Sequence, residues 1–321
     1  LLSPAFYLIV TLHRSARIHY LPTRSEEQAD HQRVELLEIL ARRQLSALFQ
    51  PIVDLQSGAI IAYEGLIRGP SDSPLHAPLQ LFKVARACGL SVEVEHLCRR
   101  VVLERYAELK LPGKLFLNVS PDMLLQRDAR HGETLGTLQQ LGIAPEQVII
   151  ELTENQPTYD YAAMREAVRH YRAMGFQIAI DDLGEGFASL RLWSELRPEF
   201  VKIDMHFIQG IHQDPVKLQF VRSIQGIAEK SATRVIAEGI ETCDELAALG
   251  EVGVAFGQGY HLGRPHAQPL RSIPLEVRRQ LDRAHNADYR ARSSIAVLYH
   301  WQHNGASSLL AGLPAQPYSP G

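Results

Sequence analysis

The chain has 321 residues, of which 45% are hydrophobic and 21% charged, and its formal net charge is −3. This is ordinary globular material, long enough for one large α/β domain or two smaller ones, and the charge argues against a protein that grips long nucleic acid through a basic surface. Cys88, Cys98 and Cys243 are too few and too scattered for a disulfide framework or a thiolate metal site, and the fourteen histidines include no HExxH pair.

The chain opens on Leu1 rather than Met, as a piece of a longer protein does. AFYLIVTL (5–12) is apolar but far short of the ~20 residues that span a bilayer. It is expected to be a short strand or a packing helix. The alternative is the tail of an upstream membrane span, with Arg14 and Arg17 on the cytoplasmic side. No secretory signal with a cleavage site is recognisable. Residues 25–45 follow as an amphipathic helix, with Val34, Leu37, Leu40 and Leu45 at roughly helical spacing. This helix either packs on the next domain or relays a signal from an upstream one.

Short apolar strands then alternate with helical stretches. The predicted strands are 46–55, 60–68, 114–120, 148–154, 177–183, 200–204, 234–240 and 255–263, and helices are predicted at 93–109, 161–175 and 216–231. Gly58 lies in a tight DLQSG turn, so the first two strands should form an antiparallel hairpin. The later order of strand then helix predicts a parallel sheet. Together these predict an α/β fold, a modified TIM (β/α)8 barrel with an antiparallel first strand, preceded by an amphipathic helix. An open doubly wound sheet is the alternative, but no strand leads into GxGxxG or a Walker A loop.

The stretch IAIDDLGEGFASL (178–190) carries the strongest chemical signal. It is an apolar run ending in adjacent carboxylates, Asp181 and Asp182, followed by Gly184 and Gly186. Alone, such a pair reads first as a helix cap beside a solvated Asp. The pattern recurs, however. Glu64 ends IIAY, Asn118 ends KLFL, Glu151 ends VII, Lys202 follows FV and Glu238 follows VIA. In a parallel barrel these strand ends open on one face, where such folds place their chemistry.

All of these residues except Lys202 are oxygen donors, which select hard cations, Mg²⁺ or Mn²⁺; Ca²⁺ fits the same donors but is usually a poor catalyst, hence a candidate inhibitor. Five carboxylates exceed what one small ion needs. Two ions about 4 Å apart and bridged by Asp181 would balance the charge and clamp a phosphoryl group. Lys202 then holds or deprotonates the attacking water, burial near metals lowering its pKa, or it serves as a salt bridge. Arg68 either grips a substrate phosphate or is a surface arginine.

YEGLIRG (63–69), LNVSP (117–121), ELTEN (151–155), DDLGEGFASL (181–190), VKIDMHFI (201–208), AEGIET (237–242) and GQGYHLGRP (257–265) together resemble the EAL domain, with all motifs in order. The resemblance covers about residues 40–268. It implies a phosphodiesterase that cuts the bacterial messenger cyclic diguanylate (c-di-GMP) to linear pGpG with Mg²⁺ or Mn²⁺, lowering c-di-GMP signalling. It implies Glu64, Asn118, Glu151 and Asp181 as ligands of one metal, and Asp181 and Asp182, with Glu238 close by, at a second. Lys202 matches the water-activating lysine and Arg68 the phosphate-binding arginine. Asp204, Glu241 and Gln258 match pocket positions, and Gln50 a guanine contact. Glu154 matches the glutamate that holds the loop after Asp182; otherwise it is a residue at a helix N-terminus.

The usual loop is close to DDFGTGYSSL; here Leu183, Glu185, Phe187 and Ala188 replace Phe, Thr, Tyr and Ser. Ala188 removes a hydroxyl able to bond Glu154, worth about 1 kcal/mol, and Glu185 adds charge to an acidic site. The metal ligands and lysine are intact, which predicts an active enzyme. The resemblance also implies a homodimer; the few, scattered cysteines fit a reducing, cytoplasmic setting (alone or as the cytoplasmic part of a membrane-attached protein), and further signalling domains are expected up- or downstream. The expected division is 1–39 as N-terminal segment and linker helix, 40–268 as the EAL unit, and 269–321 as a C-terminal helix and tail or the start of another domain. Within the last part, 274–294 reads as a basic, mostly exposed helix. Two alternatives remain: a receptor that binds c-di-GMP without cutting it, and a different two-metal phosphohydrolase or aldolase-like barrel.

Overall fold

The computed structural model describes residues 24–125, 131–152, 160–184 and 188–283. The 5–12 stretch, Glu154, residues 185–187 and the tail from 284 lie outside the described residues. Eight strands close into a barrel in chain order: β1 (Ser46–Asp54), β2 (Ile60–Arg68), β3 (Lys114–Val119), β4 (Val148–Leu152), β5 (Gln177–Leu183), β6 (Phe200–Ile203), β7 (Arg234–Ala237) and β8 (Phe256–Gly257). β1 is antiparallel to both its neighbours, β2 and β8, and every other pairing is parallel. The reversal follows from the turn that the sequence predicts. Asp54 accepts from the amides of Gln56 and Ser57 at 3.0 and 2.8 Å, and Gly58 N donates to Asp54 O at 2.8 Å. So short a connection can join only antiparallel strands, whereas the parallel pairs need helical crossovers.

The predicted helices 93–109, 161–175 and 216–231 are found at Ser91–Leu109, Tyr161–Ala173 and Pro215–Ser231. Their apolar sides and the outer faces of the strands form one continuous core. The outer face of β2 shows how tightly the layers meet. Gly65 stands in the middle of YEGLIRG, and a Cβ there would lie 2.4 Å from Val102 Cγ1 of helix Ser91–Leu109. Gly65→Ala is therefore expected to cost about 1–3 kcal/mol by overpacking. Gly65→Ala/Val102→Ala should cost less than the sum of the single changes in denaturant unfolding; additive losses would refute the contact.

Three sequence expectations change. The leading helix runs Arg24–Arg42; Leu40 and Leu45 pack against the core, but Leu36 and Ile39 are buried in place of Val34 (57% exposed) and Leu37 (44%). It lies against helices Pro78–Ala87 and Ser91–Leu109, and that contact rather than the best-looking stripe chooses its inner face. The predicted strand 255–263 shrinks to Phe256–Gly257, because the amides of Leu262 and Gly263 turn back onto Gly259 O at 3.1 and 2.9 Å. β7 likewise stops at Ala237 rather than 240, giving way to a loop. Past the expected domain end at 268, the chain remains attached. Ile273, Val277 and Leu281 enter the core from the segment that includes helix 275–283. No helix among the described residues is long and apolar enough to cross a membrane.

Candidate active site

Side chains two residues apart on a strand share a face. Inside the barrel, Ile52, Ala62, Phe116, Ile149, Ala179, Phe200 and Ile236 form a separate apolar cluster, with Phe256 packed against it. Two residues further along lie Glu64, Asn118, Glu151, Asp181, Lys202, Glu238 and Gln258. Gln50 completes the ring from two residues before Ile52, because β1 runs backwards. An apolar plug thus carries one polar side chain per strand at the mouth of the barrel.

Lys202, 1% exposed, is the hub. Its Nζ touches Glu151 Oε1 and lies 2.6 Å from Glu238 Oε1 and 3.3 Å from both Glu64 Oε2 and Asp181 Oδ1. Glu64 is held from the other side: Gln258 Nε2 donates to its Oε2 at 2.6 Å and Asn118 Nδ2 to its Oε1 at 3.3 Å. Gln258 Nε2 also reaches Gln50 Oε1 at 2.9 Å, and Gln50 Nε2 donates to Gly263 O at 3.1 Å.

Asp182 joins this ring by a local irregularity. In a regular strand, adjacent residues point to opposite faces, which would send Asp182 outward. The β5–β6 register instead shifts between Ile180 and Leu183, and Asp182 adopts a left-handed backbone, φ +53°. A bulge of this kind re-aims a side chain. As a result, one carboxylate oxygen each of Asp181, Asp182 and Glu238 can lie within 4.8 Å of the others.

The charge balance is strained. Burial pushes the carboxyls of Glu151 and Glu238 well above the usual range; Lys202 opposes this, while the neighbouring carboxylates add to it. For Lys202, burial alone would lower the pKa, but the charges of Asp181, Glu151, Glu238 and Glu64 together hold it well above the ordinary value. The expected lowering of the lysine pKa is thus reversed in the protein by itself, since four carboxylates face one ammonium. Glu151 is wholly buried, yet its Oε2 has no hydrogen-bond partner among the described residues. Such an orphaned acceptor among surplus carboxylates suits a divalent cation with oxygen ligands. The donor set fits.

Other predicted residues lie apart from the ring. Arg68 Nη1 donates to Ile67 O at 2.7 Å. Asp204 caps helix Met205–Ile208, accepting from His206 N at 2.8 Å. Glu241 is exposed and lines a cleft with Tyr260, His261 and Arg264. Its backbone is fixed by buried Glu245, which accepts from the amides of Glu241, Thr242 and Gly210 at 2.8–3.0 Å. The residue reading overlooked Glu95. This glutamate accepts from Ser120 Oγ at 2.6 Å and borders a cavity of about 660 Å³ that starts at Glu64 and Asn118 and runs past Leu66, Phe82 and Val102. Only its place on helix Ser91–Leu109, with no strand-end signal, was visible in the sequence.

The family model for the EAL domain matches residues 33–265. The chain belongs to the EAL-domain family. Its barrel, with one reversed strand, is the EAL fold seen in similar solved structures. One is a standalone EAL protein of Vibrio cholerae in its c-di-GMP-bound form, 29% identical, with a TM-score of 0.65 over 73% of this chain and 97% of that one. Another is Klebsiella pneumoniae BlrP1 in a manganese and c-di-GMP complex, 27% identical, with a TM-score of 0.66 over 72% of this chain and 58% of that one. Among curated relatives, the Escherichia coli cyclic di-GMP phosphodiesterase PdeF is 31% identical over 248 residues, which is 75% of this chain and 32% of PdeF. The chain spans between about a fifth and a third of the first curated relatives it matches. The manganese of the BlrP1 complex and the acidic cluster here both indicate that EAL sites of this kind use divalent metal.

Proposed function

We propose that this EAL unit hydrolyses c-di-GMP to linear pGpG with Mg²⁺ or Mn²⁺. The observation that carries the reading is the ring of Glu64, Asn118, Glu151, Asp181 and Glu238 around Lys202, with Asp182 turned in beside it. Glu64, Asn118, Glu151 and Asp181 would hold one ion, and Asp181, Asp182 and Glu238 a second. Bound ions of this type neutralise carboxylates, polarise phosphoryl oxygens and lower the pKa of water. Gln258, hydrogen-bonded to Glu64 and to Gln50, keeps the Glu64 carboxylate aimed into the ring. Lys202 Nζ, at the centre, would hold the attacking water, and would take its proton only once bound cations offset the four carboxylates that keep it an ammonium in the metal-free protein. Water would add at phosphorus with loss of a proton while the P–O3′ bond breaks and the 3′ oxygen takes a proton from solvent, which opens the ring, frees a 3′ hydroxyl and retains a 5′ phosphate. Arg68 and Glu241, at the rim, are proposed contacts for the rest of the substrate. Glu95 and Ser120, on the wall of the 660 Å³ cavity, can accept or share hydrogen bonds with the N–H edge of a guanine. Glu154 keeps its proposed role in holding the loop after Asp182.

The catalytic unit is proposed to span residues 40–268, to act in the cytoplasm where its substrate is found, and to work as a homodimer within a larger signalling protein. A receptor that binds without cutting has less support, since every metal carboxylate and Lys202 is present.

The test is turnover of c-di-GMP by the purified chain with Mn²⁺ or Mg²⁺, with the product resolved chromatographically. Metal-dependent appearance of pGpG is expected. Tight binding without product at any metal concentration would favour the receptor, and failure to bind would sink both readings.

A further inference from the structure

The turn that carries Asp181 and Asp182 rests on an aromatic floor. Gly184 has φ +118°, and a Cβ built there would lie 2.2 Å from Phe207 Cε2, so the backbone sits directly against that ring. The ring is itself fixed. It stacks on Phe220 of helix Pro215–Ser231 at 4.1 Å and 17°, and meets His206 edge-on at 5.2 Å. Phe207 rides on the short helix capped by Asp204, whose amide donates to Leu183 O at 3.5 Å. The turn needs such support. Asp182 holds a left-handed backbone, φ +53°, which Asp tolerates better than most residues but which still costs energy that the packing below can offset.

We propose that Phe207 is a positioning residue, setting the height of the Asp181–Asp182 turn and thereby the affinity of the Asp181, Asp182 and Glu238 cluster for a divalent cation. The proposal rests on the reading of that cluster as an ion site. Phe207 makes no bond to the ion; it acts through Gly184 on the carboxylate beyond. Outer groups that orient metal ligands typically change metal affinity by about 10–100-fold when removed, and the loss here is expected at the lower end, roughly tenfold.

The experiment is titration of the purified chain with Mn²⁺, following free Mn²⁺ by electron paramagnetic resonance, for the parent, Phe207→Ala and Phe207→Leu. Cooperative unfolding of each is checked by circular dichroism, and leucine retains enough apolar bulk to keep the chain folded should alanine not do so. The expected result is weaker Mn²⁺ uptake in Phe207→Ala, with Phe207→Leu between it and the parent. Hydrolysis in both should return towards the parent rate as Mn²⁺ is raised, so that the apparent KM for metal moves and kcat does not. Parent-like Mn²⁺ affinity in a folded variant would overturn the positioning role and leave the ion site standing. Absence of Mn²⁺ uptake by the parent would instead overturn the ion site on which the proposal rests.

Discussion

Replacing Lys202 by methionine is expected to destabilise the chelator-treated protein by about 3–5 kcal/mol, the usual cost of breaking a buried ion pair by removing one partner. Lys202 is the ammonium to which Glu64, Glu151, Asp181 and Glu238 all point. Without it they repel one another in a buried space, and hydrolysis should be lost as well. Divalent cations should restore much of the stability, since they bind the folded ring and not the unfolded chain. The pH dependence follows from the same charges. Glu151 and Glu238 have folded carboxyl pKa values raised above their unfolded ones, so folding takes up protons. In chelator, stability should therefore be greatest near the ordinary carboxyl pKa and fall as pH rises through the raised values. Lys202 also has a raised folded value, but its contribution is complete below the ordinary lysine pKa and is lost only in strong alkali, so it does not shape the neutral range. Mg²⁺ or Mn²⁺ should flatten the slope. Denaturant unfolding across pH, with chelator and with metal, measures all of this. A Lys202→Met protein as stable as the parent in chelator would show that the ammonium is not the counter-ion.

Asp181→Asn should divide the two quantities that Lys202→Met moves together. Asp181 is the carboxylate common to both proposed ion positions, and losing several kcal/mol of charge stabilisation in the transition state lowers turnover by at least about 10³-fold. Stability in chelator should be unchanged or higher, because one of the crowded negative charges has gone while the volume is kept. Turnover with saturating Mn²⁺ and the melting temperature in chelator are the readouts. Substantial residual turnover would remove Asp181 from the centre of the site. A lower melting temperature in chelator would mean that its charge supports the fold.

Much of the barrel was legible in the sequence because its signals are local. Apolar runs separated by helical stretches announce strands and crossovers, and the DLQSG turn between two such runs announces the reversed strand β1. The ring was legible for a related reason. With a period of two, a polar residue two positions after a buried inward residue must face inward as well, so Glu64, Asn118, Glu151, Asp181, Lys202 and Glu238 could be read at their strand ends. Boundaries fared less well. The predicted strand 255–263 is Phe256–Gly257 in the structure, because Leu262 and Gly263 bond back to Gly259 O instead of continuing a ladder. The stripe of the leading helix was only half legible: Leu40 and Leu45 pack against the core, but Val34 and Leu37 satisfy helical spacing as well as the buried Leu36 and Ile39 do.

The sequence by itself determined the order of strands, the reversed start and the acidic character of the barrel mouth, since each depends on neighbours a few residues away. Only the tertiary structure decided how those parts meet. It brings Gln50 and Gln258, 208 positions apart, to within 2.9 Å across β1 and the end of β8. It brings Glu95 to the wall of a cavity beside the ring. It also turns Asp182 inward, against the alternation of its own strand, through a bulge set by the pairing of β5 with β6. Barrel closure joins residues far apart in the chain, and a bulge belongs to a pair of strands, so no local pattern records either.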